Sequence, residues 1–405
     1  MEDIQQERSN LATALQHIKV LDFTRALAGP FCTFKLAQLG AEVIKIEIPG
    51  EGDASRTNDP QTEGGESYMF VSVNRGKKSI TLNLAAEKGR EICKQLVEKV
   101  DVVVENFSPG VMDRLGLGYE ELSRVRPGLI YASSSGFGHT GPYSTRPAYD
   151  TIAQAMGGLM TQNGFPDGPP TMVGVAVSDM LAGLYNTISI LAALQYRSIT
   201  GEGQYIDISM QDCTWDVAGA GAAAVYYGTG QIPQRKGNRY FGTFGVFPAR
   251  DGDVVINVVT VGQWENLMRV MGREDLLEIE QYVDRTKRTE VSGEISALVE
   301  AWTGERTIEE IVKLLSDAHL PASPVPPFEQ VANDPQLLSR NMVAEVNQVI
   351  SGKVKVTGSP FKLSKTPGDP TLPAPFLGQH NHEIYCDVLG YSEQEIRQLA
   401  DDGII

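Results

Sequence analysis

From His17 to Glu47 the chain reads HIKVLDF, a turn containing AGP, FCTFKLAQLG, then AEVIKIE. A short apolar run, a helical stretch closed by Gly40 and a second apolar run within about thirty residues make a βαβ unit. Parallel strands cannot be joined by a tight hairpin, so this stretch commits the fold to a parallel sheet with helical crossovers. The theme recurs: KKSITLNL reads as a strand, AEKGREICKQLVEKV as a helix, and DVVVENF and LIYASSSGFG as further strands. The expected class is α/β, with helices on both faces and ligands at the carboxyl ends of the strands.

The pattern changes after Thr200. QYIDISMQD reads as a strand, and CTWDVAGAGAAAVYYG, rich in Ala and Gly, as a close-packed helix or linker. GTFGVFPARDGDVVINVVT predicts a hairpin around Asp251-Gly252. Helices follow from about Val261 to Leu320, among them the amphipathic TIEEIVKLLSDAHL, and the Pro-rich PASPVPPFEQV reads as a linker. A helix starts at Ser392, where Ser-x-x-Glu makes a capping box. A chain of 405 residues exceeds what one core organises. The expected division is a large domain over 1–200, a linker over 201–224, a small α+β domain over 225–325, and a linker with the C-terminal segment over 326–405. There is no internal repeat.

Several function classes are excluded. A net charge of −16 is the wrong sign for a general nucleic-acid binder. The first ten residues, MEDIQQERSN, lack a signal peptide's apolar core. Met180 to Gln195 is apolar but short for a span and carries Tyr185, Asn186 and Thr187, so it reads as a buried helix. Cys32, Cys93, Cys213 and Cys386 form no CxxC pair and read as reduced structural thiols of a cytoplasmic protein. His380 and His382 do not face one way on a helix, and no metal site is expected.

Four stretches carry candidate chemistry. Arg75, Lys77 and Lys78 cluster at a turn and suit either phosphate or solvent. Asn106 and Phe107 end a strand, with Arg114 after the next turn; Phe107 is a stacking ring or core. FTRALAGP is a glycine-containing turn but not GxGxxG, and neither GxxxxGK[ST] nor GxSxG occurs. Asp179 is a lone carboxylate in VGVAVSDMLAGLYNTISILAALQ. A buried carboxylate needs hydrogen bonds or a use. It suits a helix N-cap and, beside the small residues Gly174, Ala176 and Ser178, a nucleophile toward an activated acyl group.

In order, VLDFTRALAGP, LGAEVIKIE, GDASR, NRGKKSITLNL, VVVENFSPGVMDRLGLGYEEL, ASSSGFGHTGP, VSDMLAG and TGEGQYIDISMQD resemble the class III CoA-transferases, which include formyl-CoA transferase and carnitine CoA-transferase. The resemblance covers most of Val20 to Asp212, and APFLGQHNHEI near the C-terminus matches too. It implies a Rossmann-like large domain completed by the returning C-terminal segment, and an interlocked homodimer of two threaded rings. It implies Asp179 as nucleophile and CoA contacts at Ala26, Leu27, Leu82, Asn106, Phe107 and Arg114, with a family lysine replaced by Ser135. A mobile glycine-rich loop falls near Phe244 and Gly245, without the family's run of glycines. CoA and acyl-CoA are substrates, and no cofactor is tightly bound.

The implied activity moves CoA from an acyl-CoA such as succinyl-CoA to a small acid, a dicarboxylate such as mesaconate or benzylsuccinate; the alternative acceptor is carnitine or oxalate. Arg25, Arg56 and Arg146 are the loop cations available for a second carboxylate. The rival reading is an alpha-methylacyl-CoA racemase, whose His-Asp dipeptide is Tyr149-Asp150 here. Tyr, with a pKa of about 10, is a poor second base. A paralogous partner subunit is the alternative to a homodimer, and the presence of Asp179 argues for a catalytic chain either way.

Overall fold

The computed structural model describes residues 13–368 and 371–405, so the polar N-terminal decapeptide lies outside the described residues. Strands β1 (Lys19–Asp22), β2 (Glu42–Glu47), β3 (Lys78–Thr81), β4 (Val102–Glu105), β5 (Ile130–Ser135) and β6 (Gln204–Ser209) form one sheet. Its order is β3-β2-β1-β4-β5-β6, with every pairing parallel. The chain leaves β1 toward β2 on one side and returns to β4 on the other, so the sheet reverses direction there and opens a crevice at the strands' carboxyl ends.

Alternation along each strand builds two cores. Leu21, Ile44, Ile80, Val103 and Tyr131 face α3 (Glu87–Val97), α4 (Tyr119–Val125) and the C-terminal residues Ile384, Tyr385 and Leu399. Val20, Val43, Val102, Val104, Ile130 and Ala132 face Cys32 and Leu36 of α1 (Ala28–Gln38) and Ile190 and Ala193 of α6 (Val177–Thr200). Between these elements lie α2 (Tyr68–Asn74) and α5 (Asp150–Met156), and α7 (Met210–Thr229) follows β6.

Toward the carboxyl edge the second face turns ionic. Asp22 follows Val20, and Lys45 and Glu47 follow Val43, all on one side by the two-residue period. Lys77 bonds Asp22 at 3.0 Å, Lys45 bonds Asp53 at 2.9 Å, and Arg56 grips both oxygens of Glu47 at 2.6 and 2.7 Å.

The stretch 201–224, bounded as a linker between domains, supplies β6, the strand read in QYIDISMQD, and most of α7, the helix alternative for the Ala/Gly-rich run. Parallel pairing of Tyr205 through Ser209 with Tyr131 through Ser135 makes it the sheet's last strand. The C-terminal segment closes the opposite edge with side chains. Asn381 accepts from the Thr81 amide at 2.9 Å and donates to its hydroxyl at 2.8 Å, and Tyr385 donates to the Thr81 carbonyl at 2.7 Å.

The chain divides into two compact units: residues to Leu159 with Met172–Gly230 and Pro335–Ile405, and Met160–Thr171 with Gln231–Asp334. The second holds an antiparallel sheet, β7 (Arg239–Phe241), β8 (Phe244–Ala249), β9 (Gly252–Asn257) and β10 (Ala322–Pro324), in the order β10-β9-β8-β7. Its helices are α8 (Val261–Met271), α9 (Ser292–Gly304) and α10 (Ile308–Asp317). The hairpin turn falls on Arg250 and Asp251, between the paired Ala249 and Gly252. The Pro-rich stretch read as a linker begins as edge strand β10, where Pro324 is tolerated because one side of an edge strand needs no donor. Phe244 and Gly245 open β8 and are paired with Asn257 and Ile256, so they lie in a sheet and not in a loop.

Candidate active site

In a right-handed crossover the helix runs back against the strands, so its N-terminus lies at the sheet's carboxyl edge. That places the start of α6 at the carboxyl edge, past the end of β5. Gly183 fixes the contact: a Cβ there would stand 2.8 Å from the Ala28 carbonyl oxygen, so α6 meets the start of α1 nearly backbone to backbone. Asp179 lies one turn earlier on the same face of α6.

Asp179 is half-buried, and among the described residues its carboxylate makes no hydrogen bond to protein. Burial first, then the like charge of Asp150, pushes its carboxyl up to about 7. The N-cap reading of Asp179 is corrected by the geometry. The cap residue is Ala176, which has no side-chain acceptor, and Asp150 Oδ1 accepts the Ser178 amide at 2.7 Å and the Asp179 amide at 3.3 Å. The capping carboxylate therefore comes from α5, and the Asp179 carboxylate is left free.

The loop after β1 carries Arg25, Ala26 and Leu27. Ala26 adopts φ +62°, a region that costs an L-residue roughly 1 kcal/mol, and is held from both sides. Asp53 Oδ1 accepts its amide at 3.3 Å, while Asn106 accepts the Arg25 amide at 2.8 Å and donates to the Arg25 carbonyl at 2.9 Å. Lys45 Nζ donates to the Thr24 carbonyl at 2.6 Å, so the ionic layer under the sheet edge also sets this loop. The guanidinium of Arg25 lies 5.1 Å over the Phe107 ring. Phe107 is placed in turn by the buried Glu105, whose Oε2 accepts its amide at 2.8 Å. Burial pushes the Glu105 carboxyl up to about 7.

The candidate positions thus fall along one edge, but unequally. Ala26, Asn106 and Phe107 share a clipped pair of loops, with Leu27 at the start of α1 and Arg114 exposed one short turn beyond Phe107. Leu82 packs wholly into the core, so only its backbone reaches the edge. Ser135 ends β5, and its buried hydroxyl has no partner. The basic cluster is structural. Lys77 bonds Asp22, Asn74 and the Pro30 carbonyl; Arg75 donates to the Thr357 carbonyl; Lys78 bridges Glu42 and Glu383. Of the loop arginines, Arg56 is committed to Glu47, while Arg25 and Arg146 are exposed over aromatic rings.

Sequence reading missed Asp53, Lys45 and the capping role of Asp150. The Asp53-x-Ser55 spacing, whose carboxylate accepts the Ser55 amide at 2.9 Å, was the one local signal. The two histidines part company: His380 Nδ1 accepts the Ser79 amide, whereas His382 pairs with Glu393 beside Cys386 on the surface. Burial pushes the Cys32, Cys93 and Cys213 thiols up to about 12, so they pack as inert groups. Tyr149, in the place of the racemase histidine, is 79% exposed.

The Asn106 clip gives a direct prediction. Asn106→Ala removes two hydrogen bonds, each worth about 1 kcal/mol, that hold the Arg25 loop in place. The expected result is amide exchange at Arg25 and Ala26 at least about tenfold faster than in the wild type. Hydrogen exchange read by mass spectrometry checks it, and unchanged exchange shows that the clip does not hold this loop.

The model of CoA-transferase family III matches residues 15–381. A succinyl-CoA:mesaconate CoA-transferase of Haloarcula marismortui is 40% identical over 400 residues, covering 96% of this chain and all of that protein. An acetyl-CoA:oxalate CoA-transferase of Acetobacter aceti is 42% identical over 362 residues, 87% of this chain and 91% of that one. The crystal structure of a CAIB/BAIF family protein from Brucella suis superposes with a TM-score of 0.81 at 36% identity, covering 93% of this chain and 99% of that one.

Proposed function

Because the chain belongs to CoA-transferase family III, we propose that it moves CoA from succinyl-CoA to a small dicarboxylic acid through a covalent intermediate on Asp179. The observation that carries this reading is the free, half-buried Asp179 carboxylate at the first turn of α6, on the edge where the loops after β1 and β4 meet. A carboxylate with no protein hydrogen bond to break, and already partly desolvated by burial, is poised for attack.

In the proposed cycle Asp179 attacks the donor thioester carbonyl, the C–S bond breaks, and CoA leaves as thiolate with a mixed anhydride on the enzyme. The thiolate attacks the aspartyl carbonyl, giving aspartyl-CoA and the free donor acid. The acceptor carboxylate then attacks the aspartyl-CoA carbonyl, the C–S bond breaks and the thiolate leaves a second mixed anhydride, whose acceptor carbonyl the thiolate attacks to give acceptor-CoA and the free Asp179 carboxylate. Each step exchanges one activated acyl bond for another, so orientation and exclusion of water are the protein's main tasks.

Both curated relatives carry a dicarboxylate, mesaconate or oxalate, in their names, which supports that acceptor class. Arg25 and Arg146 are the arginines available to read the second carboxylate. A homodimer of interlocked rings in the cytoplasm is part of the same proposal. Leu184, Ile188 and Ile199 of α6 and Trp215, Tyr226 and Tyr227 of α7 stand exposed in the single chain, as residues awaiting a partner surface do.

The test is acid quenching after mixing with succinyl-CoA, followed by peptide mass spectrometry. A CoA-sized adduct on the Asp179 peptide is expected, as is transfer to mesaconate or oxalate but not to carnitine. Turnover of carnitine alone overturns the acceptor class. Exchange of the α-proton in heavy water without any adduct overturns the transferase mechanism in favour of racemisation.

A further inference from the structure

The segment that delivers Asp179 has almost no means of holding itself. Residues 173–176 are outside regular structure, and Ala176 cannot cap the helix it begins. Its polar backbone is taken up instead by two side chains on one face of α5, Asp150 and Gln154, spaced one turn apart. Gln154 accepts the Val173 amide at 2.9 Å and donates to the Val175 carbonyl at 3.2 Å. It also donates to Asp150 Oδ2 at 2.6 Å, which fixes the Asp150 carboxylate with its other oxygen toward α6. That oxygen accepts the Ser178 and Asp179 amides, the N2 and N3 donors that a helix leaves without partners. Both side chains are buried. From the other side, Thr214 of α7 donates to the Ser178 hydroxyl at 2.7 Å.

We propose that Asp150 is the positioning residue of the nucleophile: its carboxylate, locked by Gln154, fixes the first turn of α6 and so the point from which Asp179 reaches a thioester. The inference rests on the reading of Asp179 as nucleophile. It assigns the dipeptide Tyr149-Asp150 a use different from the two-base chemistry of the rival reading. Tyr149 points to solvent, and Asp150 acts through backbone amides, not on substrate. A displacement of about 1 Å at a reacting atom costs on the order of 10²-fold in rate, which sets the expected effect.

Two variants separate the hydrogen bonds from mere folding. Asp150→Ala removes the acceptor. Asp150→Asn keeps an acceptor oxygen for the two amides, at the expense of turning an amide toward the Gln154 Nε2 donor. Hydrogen exchange over residues 174–184 reads the clamp without reference to chemistry. Exchange there is expected to quicken at least tenfold in the Ala variant and to stay near wild type in the Asn variant. In steady-state assays with succinyl-CoA, Asp150→Ala is expected to lose about 10²-fold in kcat with KM for the donor within about threefold. Asp150→Asn is expected to hold kcat within about tenfold. Unchanged exchange in the Ala variant overturns the proposal, and so does an Asn variant whose exchange stays near wild type while kcat falls the full 10²-fold. A wild-type enzyme that forms no Asp179 adduct, with the exchange results as expected, overturns the assigned function and leaves the clamp standing.

Discussion

Asp179→Ala is expected to lose CoA transfer by at least about 10⁴-fold, to form no acid-stable adduct with succinyl-CoA, and to melt no lower than the wild type at pH 8. The first two outcomes follow from removing the only atom proposed to be acylated. The third follows from the resting structure. The carboxylate makes no hydrogen bond to protein among the described residues, and burial and Asp150 disfavour its charge. A carboxyl whose folded pKa lies above its unfolded value binds more protons folded than unfolded. Its contribution to stability therefore falls as pH rises from about 4 to about 7 and stays low above that. Deleting it removes an unfavourable charge. The same shift fixes the sign of the rate profile. Attack needs the ionised form, so kcat/KM should climb through about pH 7 to a plateau and lie about tenfold below it one unit lower. Initial rates from pH 5.5 to 9, with melting curves of both proteins, test this. Retained activity in the Ala variant removes the assignment.

Asp22→Asn is expected to be the most destabilising single change under the sheet edge, by about 3–5 kcal/mol in urea unfolding. Asp22 and Lys77 are both fully buried, 3.0 Å apart. Burial alone would raise the Asp22 carboxyl, but Lys77 and then Lys45, with the Thr24 and Thr33 hydroxyls, hold it below its usual range. The amide removes the negative charge and sets a donor against groups that themselves donate. Lys77 keeps Asn74 and the Pro30 carbonyl but loses its counter-ion. The double change Asp22→Asn with Lys77→Met should recover part of the loss, because removing both partners costs less than stranding one. The pH dependence has the opposite sign to that of Asp179. Asp22 contributes its stability above the unfolded carboxyl range, and the contribution is lost as pH falls below about 4. A single variant within 1 kcal/mol of wild type would show that the pair is not an isolated buried charge.

Much of the fold was legible because the features that encode it are short. Apolar runs with a helical stretch between them state a parallel sheet, and a parallel sheet states where ligands lie. That Asp179 lies at a helix start was readable from VSDMLAG, but its place as the third helical residue and not the cap was not. What misled was assigning roles to charges by their neighbours in sequence. Lys77 sits among Arg75 and Lys78 in the chain, yet it is folded under the sheet onto Asp22, and nothing within ten residues of either announces that. The stretch 201–224 shows the same limit. QYIDIS is a strand by composition, but its role as the sheet's sixth strand depends on pairing with β5, some seventy residues away.

The sequence by itself determined the α/β class, the edge on which the chemistry-bearing residues gather, and the residue types available there. Only the tertiary structure decided which carboxylate is free and which is spent. Asp150 and Asp179 are the same residue type at comparable helix starts, and local spacing treats them alike. Asp150 is consumed by two orphan amides at the start of another helix, 28 and 29 residues later, and that leaves the Asp179 carboxylate with none. The difference arises because hydrogen-bond donors left over at a helix start are satisfied by whatever acceptor packing brings near, and packing is not a property of the neighbouring residues.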